Sequence, residues 1–181
     1  MGFWLFSTRK KRRKLGEDYY GLVRDTARNA EFFGSGKVAD TVDGRFELLV
    51  LHVFLLMWAL QRKSPAQRLD QLIFDVMFRD MDAALRELGT SDTQVGKKIK
   101  AMAEAFYGRS KSYREALEED NSDKMQIALV RNVFGETTDP AQLDFAKRLN
   151  QWVFVSAKRI DLQTSEQILR DGPDFAECVF Y

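Results

Sequence analysis

One cysteine and one histidine stand among 181 residues. Cys178 has no partner within the chain, so a disulfide-stapled secreted fold is excluded, and a Cys/His zinc site needs more ligands than Cys178 and His52 supply. No metal and no cofactor is expected. Only 3 prolines and 11 glycines are present, which excludes a linker or fibrous chain. A long uninterrupted apolar run is also missing. The longest, Phe46 to Leu60, covers about 15 residues with Glu47 and His52 inside it, short of the ~20 needed to cross a bilayer. It reads as a helix buried on most sides.

What is present describes one folded domain. The chain is 45% apolar and 30% charged, which is ordinary for a soluble protein and excludes overall disorder. Four segments place a hydroxyl or Asp three residues before Gln: Ser64–Gln67, Ser91–Gln94, Asp139–Gln142 and Thr164–Gln167. Each predicts a helix start, because the cap oxygen accepts from a first-turn amide and Gln reaches back to the cap. Pro65 and Pro140 fall at the first helical position, where the missing N–H costs nothing. Between the starts the apolar spacing is helical: Leu69, Leu72, Ile73, Val76 and Met77, then Ile99, Met102, Ala103 and Phe106, then Leu143, Ala146, Leu149, Trp152 and Val153. No period-2 pattern competes. The expectation is an all-α domain of six or seven helices from about Tyr19 to Leu169, followed by an apolar tail, with residues 1–18 as a separate leader and 19–181 as the domain.

Motifs that could carry catalysis fail on inspection. Gly34-Ser35-Gly36-Lys37 hints at a phosphate loop, but Glu31 and Val38 stand where the spacing demands Gly and Ser or Thr. A glycine turn is expected instead. His52 has Leu48, Leu49, Leu55 and Leu56 one turn away and reads as a core histidine. Asp75, Asp80, Asp82 and Glu87 could suggest a metal, yet Asp75/Arg79 and Asp82/Arg86 have the spacing of local ion pairs. Lys97, Lys98, Lys100, Arg109, Lys111 and Arg114 are interleaved with Phe106, Tyr107 and Tyr113, but nearby glutamates dilute their charge. No catalytic residue is assigned, and the protein is not expected to be an enzyme.

The leader is the most polarised segment. Phe3, Trp4, Leu5 and Phe6 precede Arg9, Lys10, Lys11, Arg12, Arg13 and Lys14, so the remaining 22 cations face 27 acids. Cations after the apolar stretch reverse the order of a secretory signal, and Phe6 breaks the myristoylation pattern. The short block also differs from an organellar transit peptide and fits a bacterial chain better. Phe3, Trp4 and Phe6 could enter a headgroup layer while the cations meet anionic lipid, or the cations could meet RNA. A solvated tail is the plain alternative.

Two strings carry a specific likeness: LHVFLLMWALQRK at 51–63, and LIFDVMFRDMDAALRELG followed by KKIKAMAEAFYGR between 72 and 109. The chain from about Phe32 to Leu169 resembles the ubiquinol-cytochrome c chaperone family. The resemblance implies a non-catalytic assembly factor for respiratory complex III that holds newly made cytochrome b, in the bacterial cytoplasm and peripheral to the inner membrane. Mitochondrial relatives work near the ribosomal tunnel exit with a small partner, which makes the ribosome a further candidate partner. The competing reading is a ribosome- or nucleic-acid-associated regulator gripping phosphates through the leader; DNA is not an expected partner. A chaperone of this kind needs an apolar client surface. Phe74, Phe78 and Met81 form a second stripe on the 69–88 segment, rotated from the first, with Arg79, Asp80, Tyr107 and Arg109 as a polar rim. The alternative is that both stripes are buried.

Overall fold

The computed structural model describes the backbone of residues 2–63 and 68–178, with side chains from Lys10 onward. Seven α-helices form among the described residues: α1 (Gly2–Thr26), α2 (Val42–Lys63), α3 (Leu69–Glu87), α4 (Asp92–Glu118), α5 (Ser122–Val133), α6 (Pro140–Leu162) and α7 (Ser165–Asp171). A 3-10 turn, Ala30–Phe32, lies between α1 and α2. The fold is all-α, as the apolar spacing predicts.

The helix starts show how far the capping signals reach. Thr164 and Gln167 form a complete capping box, which satisfies two otherwise unpaired donors at once. Asp139 caps α6 through Ala141 N at 2.9 Å, with Pro140 behind it. Ser91 precedes α4 but makes no side-chain cap, lying instead 3.4 Å from the Thr93 hydroxyl. Ser64–Gln67 lie outside the described residues.

Helix α2 is the hub. It touches α1, α3, α4, α5 and α6, and nearly every side chain from Leu48 to Leu60 is buried. Each large apolar side chain so enclosed contributes about 1.5–3 kcal/mol, so the 46–60 run serves as the interior of a bundle. His52 fits this plainly: its Nδ1 lies 2.7 Å from Leu48 O, and burial pushes its pKa down to about 4. Phe32, Trp152 and Phe175 surround the neutral ring at 4.9–5.2 Å.

The glycine turn forms as expected. Gly36 takes φ +69°, and an added Cβ there would meet Ala141 Cβ at 2.9 Å, so the turn packs closely against the start of α6. The C-terminal segment is a strap. Trp152 Nε1 donates to Ala176 O, Ala176 N donates to Ser156 Oγ, and Arg159 pairs with Asp174. Phe175 thereby stacks on Trp152.

The expected boundary at 18/19 falls inside α1, which runs on through the basic block. Docking begins at Leu15, which packs against the core, and Gly16, where a Cβ would come within 2.9 Å of Leu72 O. From there Tyr19, Tyr20 and Val23 are buried, and the Tyr19 hydroxyl donates to Ser165 O at 2.9 Å. No described helix is long and apolar enough to cross a membrane.

Candidate functional site

Helices α1 and α3 lie side by side in the same direction: Gly16 meets Leu72, Glu17 meets Arg79 and Tyr20 meets Asp80. Helix α4 returns along the other side of α3, pairing Tyr107 with Phe74 and bringing Met102 alongside Met81 and Leu85. Two features result on neighbouring parts of this face.

The first is an aromatic cluster between α3 and α4. Phe74 is 4.5 Å from Phe78, 5.5 Å from Phe106 and 5.2 Å from Tyr107, with the last pair stacked. Phe78 meets Phe106 edge to face. Offset and edge-on arrangements of this kind add about 0.5–1.5 kcal/mol per pair beyond area burial. The cluster is covered on one side only. Tyr107 is 58% exposed and Phe74 is half-buried, whereas Phe78 and Met81 are each only 8% exposed. The Phe74-Phe78-Met81 stripe is therefore not one open surface: Phe78 and Met81 join the core, and Tyr107 carries the exposed apolar area.

The second is a groove of about 200 Å³ where the C-terminal end of α1, the first turns of α2, the second half of α3 and the first half of α4 converge. Phe46, Leu49, Met81, Leu85 and Met102 supply apolar walls, and Leu88, 71% exposed, stands at the rim. The polar lining is Tyr20, Asp80 and three arginines, Arg24, Arg28 and Arg45. The Tyr20 hydroxyl donates to Asp80 Oδ2 at 2.9 Å, and burial together with that carboxylate pushes the phenol pKa up. Arg24 contacts Asp25 at 3.2 Å and Arg45 contacts Asp40 at 2.6 Å. Among the described residues, Arg28 makes no ion pair.

The other expected rim residues have structural work. Arg109 forms a two-pronged pair with Glu47, both contacts at 2.5 Å. Burial pushes the Glu47 pKa up, and Arg109 opposes that shift. This pair fastens α4 to α2. Arg79 turns to Glu17 at 2.8 Å rather than to Asp75, which accepts from Gln71. The other expected local pair, Arg86 with Asp82, forms at 2.5 Å, and Arg86 also reaches Asp92.

Lys10, Lys11, Arg12, Arg13 and Lys14 are exposed on α1, with Arg13 near Glu17 and Lys14 bonded to Asp18. The backbone of Phe3, Trp4, Phe6 and Arg9 belongs to α1, but their side chains lie outside the described residues. Among the described residues no set of three His, Cys, Asp or Glu side chains is placed to hold a metal. The sequence offered no signal for the groove residues Tyr20, Arg24, Arg28 and Leu88, because the end of α1 and the end of α3, far apart in the chain, bring them together.

This arrangement has a counterpart of known structure. The structure superposes on the crystal structure of the Cbp3 homolog from Brucella abortus with a TM-score of 0.80, at 29% identity and covering 98% of each chain. No curated protein matches the sequence. The ubiquinol-cytochrome C chaperone signature matches residues 34–175, which spans α2 to α7 and the first part of the C-terminal strap. The chain is a member of the ubiquinol-cytochrome c chaperone family.

Proposed function

We propose that this protein is an assembly chaperone that holds newly synthesised cytochrome b during the biogenesis of ubiquinol-cytochrome c reductase, by reversible binding without turnover. The observation that carries the reading, beside the family, is the half-covered aromatic cluster of α3 and α4. A ring left 58% exposed on a stack of others is a rigid apolar anchor of the kind enriched at interfaces. Tyr107 and the free edge of Phe74 face the client, with Met81 and Asp80 in the adjoining groove. Phe78, Arg79 and Arg109 hold this surface in shape. Affinity capture of the full chain from bacterial membranes that are making the complex tests the reading. It should recover cytochrome b or an early assembly intermediate; recovering neither overturns it.

The basic turns of α1 support a second part of the proposal, peripheral contact with the cytoplasmic face of the inner membrane. Lys10 to Lys14 project from a helix that is docked to the domain from Leu15 onward, and each cation near an anionic surface is worth up to about 1 kcal/mol. Deleting residues 2–14 should abolish sedimentation with vesicles containing anionic lipid. If vesicle binding persists and ribosome association is lost instead, the leader serves RNA.

A further inference from the structure

The groove is too small to shelter a membrane-spanning helix. A cavity of about 150 Å³ holds one benzene ring, so about 200 Å³ takes one aromatic or branched side chain and part of a second. Its walls suit varied anchors, since Met81 and Met102 are flexible, polarisable side chains that adapt to differing shapes. Its mouth carries three guanidinium groups and one carboxylate. Arg24 and Arg45 already have Asp25 and Asp40, and Asp80, which keeps its charge, accepts from the Tyr20 hydroxyl. That leaves Arg28, just past the end of α1, as the cation at the mouth without a carboxylate among the described residues.

We infer that this groove binds a short segment of the client polypeptide in which an apolar anchor residue is flanked by a carboxylate, the anchor entering between α2 and α3 and the carboxylate pairing with Arg28. This deepens the chaperone reading and rests on it. The client would be gripped at a loop or terminal segment outside its spans, which need not leave the bilayer. Guanidinium and carboxylate favour two parallel hydrogen bonds, so the pair would set the segment's direction while the apolar walls supply most of the affinity.

The test uses the full-length protein and two fluorescent 12-residue peptides, identical in their Leu and Phe anchors and differing only in Asp or Lys beside them. Fluorescence anisotropy should show the Asp peptide binding roughly three- to fivefold more tightly, the upper range for an exposed ion pair. Arg28→Glu should reverse that preference. Ala84→Trp, at an exposed position lining the groove, should weaken both peptides at least about fivefold by filling the space. Ile127→Glu, on the exposed face of α5, should change neither. Equal affinity for the two peptides, or a preference unmoved by Arg28→Glu, overturns the inference. Cytochrome b capture separates the two claims. If wild type captures cytochrome b and Ala84→Trp does so at the same yield, the groove assignment falls and the chaperone reading stands. If wild type discriminates the peptides but captures no cytochrome b, the reverse holds.

Discussion

Two of the aromatic clusters among the described residues differ in how they end. Around His52, the rings of Phe32, Trp152 and Phe175 close on each other and the C-terminal strap seals them, tied by hydrogen bonds to Trp152 and Ser156. Between α3 and α4, Phe74, Phe78 and Phe106 pack in similar geometry, but the outermost ring, Tyr107, is 58% exposed. The same chemistry serves stability where a neighbouring segment covers it and is available for binding where none does. Cover, rather than aromatic content, distinguishes a core from an interface.

The largest effect should come from the closed cluster. Trp152 is buried, stacks on Phe175 and donates to the strap. Trp152→Ala should cost about 3–5 kcal/mol in urea unfolding, and the strap amides should lose protection from hydrogen exchange. A loss below about 1 kcal/mol would mean that the strap does not seal the cluster.

His52 sharpens the contrast through pH. Burial lowers its pKa from 6.5 to about 4, so the unfolded chain takes up a proton that the folded chain refuses. Stability is fully present above about pH 6.5 and is lost as pH falls toward 4, by an order of 3 kcal/mol. His52→Leu should flatten that part of the stability profile. An unchanged slope between pH 6.5 and 4 would show that the ring is not held neutral by the cluster.

Glu47 and Arg109 test whether the open face is built on a fixed support. Glu47→Ala leaves the Arg109 charge half-buried opposite an apolar gap, and removing one partner of such a pair costs about 3 kcal/mol. Denaturant unfolding should show that loss, and peptides from α4 should exchange faster than those from α6. Equal exchange in both helices would separate the pair from the positioning of Tyr107.

These features were unequally legible in the sequence. The interior helix could be read from its apolar run, and the start of α6 from Asp139-Pro140, because both signals are local. The extension of α1 through Arg9 to Lys14 could not be read: consecutive cations give no apolar spacing, and the docking at Gly16 depends on Leu72, far along the chain. The Phe74-Phe78-Met81 stripe was visible as a periodicity, but periodicity fixes which side chains share a face and not how many helices cover it. Here α1, α2 and α4 all pack against α3, so Phe78 and Met81 are enclosed and Tyr107, on the next helix, is left outside. Arg28 looks like any loop cation until parts of four helices converge on one groove beside it.

The smallest effect on stability should come from the residue with the largest effect on binding. Tyr107 touches Phe74 and Phe106 along one side of its ring, and more than half of its surface meets solvent. Tyr107→Ala removes one stacked and one edge contact without opening an enclosed space, so unfolding should change by less than about 1 kcal/mol. Capture of cytochrome b should nonetheless fall several-fold, because truncating a central aromatic anchor commonly costs more than 1 kcal/mol of binding. Tyr107→Phe keeps the ring and should retain most of the capture, which separates loss of apolar area from loss of the hydroxyl. If Tyr107→Ala unfolds as readily as Trp152→Ala, the two clusters are alike and both belong to the core. If it is stable and captures the client as wild type does, the uncovered ring is not the anchor and the client rests elsewhere on the face.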